Sequence, residues 1–212
     1  TRSRIESAGD LTVGHGGAAT LDISDGAHVL AEKCAIGLYS DGAVVVGGSS
    51  NLDDPFDMAS YATLRADGSL QVGGEGVGSL RIEQGGVAVG SPVSIWNSAP
   101  SGSGRLIVDG QGGIAILNAP MGLNVHNSSL VEVEAMNGGR IVAEAIWIGG
   151  GTSAGTADVT VRGSASQVEP EYQSSISTMN FPETVGGGGG VVVGEYRPGQ
   201  LNLLSGAQAN FR

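Results

Sequence analysis

The sequence predicts an all-β chain that winds as a parallel β-solenoid, because one pattern recurs at fixed offsets. The pattern is two short apolar-alternating strands, each followed by a turn of small residues, as in LQVGGEGVGSLRIEQGG at 70–86. Recurrence of a whole strand-and-turn register is the signature of coils stacked on one another. The seven positions that keep their type and spacing are Leu11, Val13, Gly14, Leu21, Ile23, Gly26 and Ala27 in one copy, Leu70, Val72, Gly73, Leu80, Ile82, Gly85 and Gly86 in the next, and Val191, Val193, Gly194, Leu201, Leu203, Gly206 and Ala207 in the third.

The composition supports this fold class. Glycine accounts for 38 of 212 residues, aromatic residues for 4% and charged residues for 15%. Such a chain suits many tight corners and thin aliphatic layers rather than a helical bundle or an α/β enzyme. No long segment shows helical periodicity with caps, so we expect strands throughout.

The spacing of the copies predicts how the coils repeat. The copies begin 59 and 121 residues apart, which indicates a superperiod of roughly 60 residues, interpreted as three coils of about 20. A middle copy near residue 130 is not clean. Stacked in register, Leu11, Leu70 and Val191 should occupy equivalent inward positions, and the residues between inward ones should face outward.

In chain order, each predicted strand is a short apolar-alternating run that ends at a small-residue turn. After Leu11–Val13, these runs are Thr20–Ile23, His28–Leu30, Ile36–Tyr39, Val44–Val46, Ala62–Arg65, Leu70–Val72, Leu80–Ile82, strands within Val87–Trp96, Leu106–Val108, Ile114–Leu117, Leu123–His126, Val131–Val133, Arg140–Val142, Ile146–Ile148, Val159–Val161 and strands within Val191–Phe211.

Two segments interrupt the pattern and are predicted to be inserted loops. They span about residues 49–60 and 166–190. We expect residues 1–212 to form a single solenoid domain and to be a piece of a longer polypeptide. A flat antiparallel sandwich is the competing architecture, since Asp-Gly pairs at Asp25, Asp41, Asp67 and Asp109 are compatible with hairpins.

Charge and cysteine content restrict the partners. The formal net charge of −11 argues against binding to nucleic acid or to an anionic membrane surface. Cys34 is the only cysteine, so an internal disulfide and a cysteine zinc cluster are excluded. No apolar run approaches the ~20 residues that span a bilayer. We expect no cofactor.

The motif LxVGxxGxGxLxIxxGG at 70–86, together with VTVRGSAS at 159–166, resembles the passenger repeats of bacterial autotransporters. The resemblance implies a right-handed parallel β-helix, a single-stranded β-solenoid exported through a C-terminal outer-membrane translocator barrel. It implies a place at the bacterial cell surface or outer membrane, or secretion, and roles in adhesion, aggregation or biofilm formation. No family site residue carries over to this chain.

The sequence contains no convincing catalytic motif. Gly9-Asp10-Leu11-Thr12 resembles a GDSL block, but Leu11 stands where the nucleophilic serine must be, and no G-x-S-x-G elbow occurs. His15, His28 and His126 lack the spacing of metal ligands. We therefore predict no catalytic residue and no metal centre.

The candidate contact residues lie in the interruptions and on outward positions. Asp53, Asp54 and Asp57 form an acidic cluster that could ligate calcium or simply be solvated. Phe56 and Tyr172 belong to the interruptions, and Trp147 is predicted to point outward between Ile146 and Ile148. An exposed Trp147 or Trp96 could stack on a sugar or anchor a partner, or each could be covered by a neighbouring loop.

The expected function is therefore a non-catalytic surface passenger. It would contact a host or matrix protein, a glycan, or a second copy of itself. Two alternatives remain open: a polysaccharide-active lyase or glycoside hydrolase on the same fold, and a purely structural stalk or self-associating zipper.

Overall fold

A computed structural model confirms an all-β solenoid. It describes residues 3–48, 61–98, 102–111, 113–126, 131–149, 157–162, 178–181, 191–193, 199–204 and 208–211. These residues form 22 strands and no helix, arranged in three sheets. Every strand pair in these ranges is parallel, which excludes the antiparallel sandwich.

Successive strands of the chain go to different sheets, so each coil adds one strand to each sheet. The first sheet consists of β1 (Arg4–Glu6), β4 (His28–Ala31), β7 (Ala62–Ala66), β10 (Gly86–Val89), β13 (Ala115–Ala119), β16 (Arg140–Ala143), β19 (Thr178–Phe181) and β22 (Gln208–Phe211). The second consists of β2 (Leu11–Val13), β5 (Cys34–Ile36), β8 (Leu70–Val72), β11 (Val93–Ile95), β14 (Leu123–Val125), β17 (Ile146–Ile148) and β20 (Val191–Val193). The third consists of β3 (Ala19–Ile23), β6 (Gly42–Val46), β9 (Val77–Ile82), β12 (Ser103–Asp109), β15 (Val131–Met136), β18 (Ala157–Arg162) and β21 (Gly199–Leu204).

The predicted column of equivalent inward positions is confirmed. Leu11, Leu70 and Val191 occupy one column of the second sheet, together with Cys34, Val93, Leu123 and Ile146. Leu70, Val93 and Leu123 are fully buried. Because like aliphatic side chains stack directly over one another, each rung buries its apolar layer against the rungs above and below it.

The predicted coil length is wrong, although the superperiod is right. Short coils begin at Leu11, Leu70 and Leu123 and return to the same column after 23 residues. Longer coils begin at Cys34, Val93 and Ile146 and need 36, 30 and 45 residues. The repeat of roughly 60 residues is thus two coils, one short and one long, and its middle copy begins at Leu123.

One corner accounts for much of the extra length. This corner joins the third sheet to the first. In each short coil, the position that aligns with Ile23 in the third sheet is five residues before the position that aligns with His28 in the first sheet. In the three longer coils this separation is 17, 8 and 17 residues. The connections of greater length therefore all lie between the same two columns, on alternate coils, and the strand register on both sides is kept.

The second predicted interruption is not continuous. β19 lies within 166–190 and pairs in parallel with β16, so the chain returns to the first sheet between two long connections. The rest of that interruption, and residues 49–60, lie outside the described residues. The Asp25-Gly26 pair, both with positive φ, turns the chain from β3 of the third sheet to β4 of the first and is not a hairpin.

Candidate functional site

Trp147 faces outward from the second sheet, as predicted, and is partly exposed. It occupies the register position after Asn124, one coil further along. Its ring packs against Gly122, which lies in the turn before β14 on the preceding coil. A Cβ added to Gly122 would lie 2.5 Å from Cζ3 of Trp147. Gly122, at φ +102°, supplies both the turn and the space for the indole.

Trp96 lies at the corner between the second and third sheets and is also partly exposed. Its backbone nitrogen donates to the carbonyl of Val72 at 3.0 Å, while its indole Nε1 is buried without a hydrogen-bond partner. The adjoining Asn97 is buried, and its Nδ2 donates to the carbonyl of Gly102. Trp96 lies at this corner two coils before Trp147, which lies within a strand of the second sheet.

The remaining predicted contact residues lie outside the described part of the chain. These are Asp53, Asp54, Phe56, Asp57 and Tyr172. The calcium hypothesis for the three aspartates stays a prediction. Among the described residues, no group of three or more His, Cys, Asp and Glu side chains is placed to hold a metal ion.

Arg81, Asp109 and Asn137 form a polar cluster that links three successive coils on the third sheet. We call it the Asp109 node; the sequence analysis did not identify it. Asp109, the last residue of β12, is only 3% exposed although the alternation along the strand places it on the outward side. Its Oδ2 accepts from Nη2 of Arg81 at 3.1 Å, and its Oδ1 accepts from Nδ2 of Asn137 at 2.9 Å. Arg81 also donates from Nε to Glu83 at 2.5 Å. Since both oxygens of Asp109 are engaged by protein donors, this arrangement suits a structural tie.

Two further features lie near the first coils. His15 and Tyr39 pack edge to face at the second-to-third-sheet corner, with ring centroids 5.0 Å apart, and Tyr39 remains 52% exposed. On the first sheet, a shallow groove of about 530 Å³ is lined by residues including Arg4, His28 and Arg65. Its two arginines pair with the neighbouring Glu6 and Asp67, so their charges are already matched.

Cys34 belongs to the core. It lies in the inward column of the second sheet and is 1% exposed. Burial raises the pKa of its thiol to about 12, which keeps it protonated and unreactive at neutral pH. Cys34 therefore acts as a small buried hydrophobe of the core.

Comparisons with known proteins do not assign this chain to a family. No family model, curated protein or solved structure matches it. Within the described ranges, no helix is long and apolar enough to cross a membrane. Any statement about function therefore depends on the chain's own geometry and on the sequence resemblance.

Proposed function

We propose that this domain is a non-catalytic surface passenger of the autotransporter type, which holds contact-making loops on a rigid solenoid. It would stand at a bacterial cell surface or be secreted, with a translocator barrel encoded further along the full-length chain. Its partners would be a host or matrix protein, a glycan or a second copy of itself.

The observation that carries this proposal is the placement of the added residues. Connections of 17, 8 and 17 residues leave one corner on alternate coils, and the columns on either side stay in register. Two rungs correspond to about 10 Å, so successive long connections start close together along one edge. Variable segments on a rigid frame are the usual arrangement for recognition.

Several charges of the described surface are paired within the protein, which supports a non-catalytic role. On the third sheet Arg81 pairs with Asp109 and Glu83, and Arg105 pairs with Glu132 at 2.9 Å. A general acid or base needs an oxygen available to the substrate, and the Asp109 oxygens are both engaged.

An adhesion assay tests the proposal directly. Microspheres carrying the 212-residue chain are applied to epithelial monolayers and to immobilised collagen, fibronectin and laminin, and bead aggregation is followed by turbidity. The variant replaces residues 47–61 by the short turn 83–85 of the neighbouring coil. Thr20→Ala, on the outward face of the third sheet, is the matched control. We expect the loop variant to lose attachment or aggregation while circular dichroism keeps the β signature.

The result that would overturn the proposal is equally concrete. If neither the parent chain nor the control attaches or aggregates above albumin-coated beads, the adhesin function fails. Release of reducing or unsaturated ends from uronic-acid polymers would instead support the alternative of a polysaccharide-active enzyme.

A further inference from the structure

The second sheet carries one narrow outward row that differs from the other two faces. Its strands are three residues long, so each presents a single outward position. In register, the first six of these positions form what we term the neutral row: Thr12, Ala35, Gln71, Ser94, Asn124 and Trp147, with Val192 of β20 next in register after Trp147. All six are partly exposed. The row contains no ionisable side chain, and its six rungs extend over about 24 Å, since neighbouring strands lie about 4.8 Å apart.

The polar groups of the neutral row are not used by the protein. Thr12, Gln71, Ser94 and Asn124 make no side-chain hydrogen bond in the described part of the molecule. The other two faces behave differently. They carry charged side chains, several of which pair with one another, as in Arg65–Asp67 at 2.7 Å on the first sheet and Arg105–Glu132 at 2.9 Å on the third. The neutral row is thus a line of unmatched donors and acceptors.

The chemistry of the row indicates its ligand. Amides and hydroxyls each supply donors and acceptors, which matches the hydroxyl groups of a sugar chain. Trp147, the last residue of the neutral row, presents a large flat surface that packs against Gly122, and an indole stacks well on the apolar face of a sugar ring. Because the chain has a net charge of −11, an anionic polysaccharide would be repelled.

We propose that the neutral row binds an uncharged polysaccharide, which lies along the solenoid axis and stacks one sugar on Trp147. The side chains of Gln71, Ser94 and Asn124 hydrogen-bond its hydroxyls. This inference rests on the proposed function and specifies a glycan as one of the partners, but it uses a face distinct from the corner with the long connections.

Affinity electrophoresis of the 212-residue chain is the test. Native gels contain laminarin, mannan or dextran as neutral probes, and polygalacturonate or heparin as anionic ones. We expect retardation in at least one neutral gel and none in the anionic gels. Trp147→Ala should weaken retardation about tenfold or more, because it removes the only aromatic side chain of the row. The double variant Gln71→Ala with Asn124→Ala should weaken it to a similar extent.

A matched control separates the row from general effects on folding. Ser79→Ala removes a partly exposed outward hydroxyl from the third sheet and should leave retardation unchanged, and circular dichroism checks each variant. Retardation by none of the neutral polymers, retardation only by anionic ones, or full retardation of the row variants overturns the inference. The variant with the shortened 47–61 connection should still be retarded, so a failure here leaves the adhesion assay as an independent test of the proposed function.

Discussion

Gly37 occupies a corner position that no residue with a Cβ should tolerate. It turns the chain from β5 into β6 at φ +76°. A Cβ placed there would overlap the backbone nitrogen and Cα of Gly78 on the next coil and lie 2.6 Å from the carbonyl carbon of Val77. The left-handed backbone costs alanine about 1–2 kcal/mol, and displacing a packed rung costs about 1–3 kcal/mol more. We therefore expect Gly37→Ala to destabilise the solenoid by about 2–5 kcal/mol.

The same corner provides a matched control for Gly37→Ala. Gly16 lies in the turn one coil earlier, and a Cβ there meets nothing within 4 Å, so Gly16→Ala should change stability by less than about 1 kcal/mol. Urea unfolding followed by far-UV circular dichroism measures both variants, with the slope checked for a common transition. Equal midpoints for the two variants would refute the claim that close backbone approach between coils limits this corner.

Other substitutions test the node, the thiol and the indole. Asp109→Ala leaves two donors of a buried node without their acceptor and should cost about 2–4 kcal/mol, whereas Glu132→Ala, in a half-exposed ion pair, should cost at most about 0.5 kcal/mol by the same urea assay. Cys34 should resist iodoacetamide at pH 8 until the chain is unfolded, as mass spectrometry would show. Since the pKa of its thiol is raised from 9.0 to about 12, its contribution to stability should fall as pH rises through that window. Gly122→Ala should displace the Trp147 indole and shift its fluorescence emission, and an unchanged spectrum would contradict the contact.

The strand register was predictable because the inward positions are chemically uniform. An aliphatic residue, an outward residue and a second aliphatic residue recur in the strands of the second sheet, with Cys34 the one exception, and a period of two is enough to assign faces. The column through Leu11, Leu70 and Val191 follows from this pattern and from glycine at the next position. The predicted copies were those in which every one of the seven positions is kept.

The coil length was not predictable, because individual coils keep the inward column but change other residues of the repeat. Cys34 replaces leucine at the start of the second coil, and Trp96 stands where the preceding coil has Gly73. In the copy that begins at Leu123, His126 occupies the position of the turn glycine. The repeat pattern therefore did not identify that copy. Insertions of different length then made a two-coil unit look like three coils of equal length.

The Asp109 node was beyond the reach of pattern analysis for a related reason. Arg81 and Asn137 each lie 28 residues from Asp109 along the chain. That spacing indicates a contact only when the coil lengths are known. A buried outward-facing carboxylate also resembles any other surface acid in sequence. Only the register, which places Asp109 between Glu83 and Met136 on adjacent rungs, brings Arg81 and Asn137 to its two oxygens.

A solenoid separates the residues that determine its fold from those available for function. The inward columns of all three sheets obey one rule of aliphatic stacking, so they say nothing about a ligand. The outward rows are free to differ, and here they do: the third sheet pairs its charges across coils through Arg81, Asp109, Arg105 and Glu132, while the neutral row leaves its amides and hydroxyls unmatched. The charge pairs of the third sheet therefore contribute to stability, whereas the unpaired amides and hydroxyls of the neutral row remain available to a ligand. Exchanging the outward residues of these two faces should therefore transfer polysaccharide binding from the second sheet to the third while the strand register stays the same.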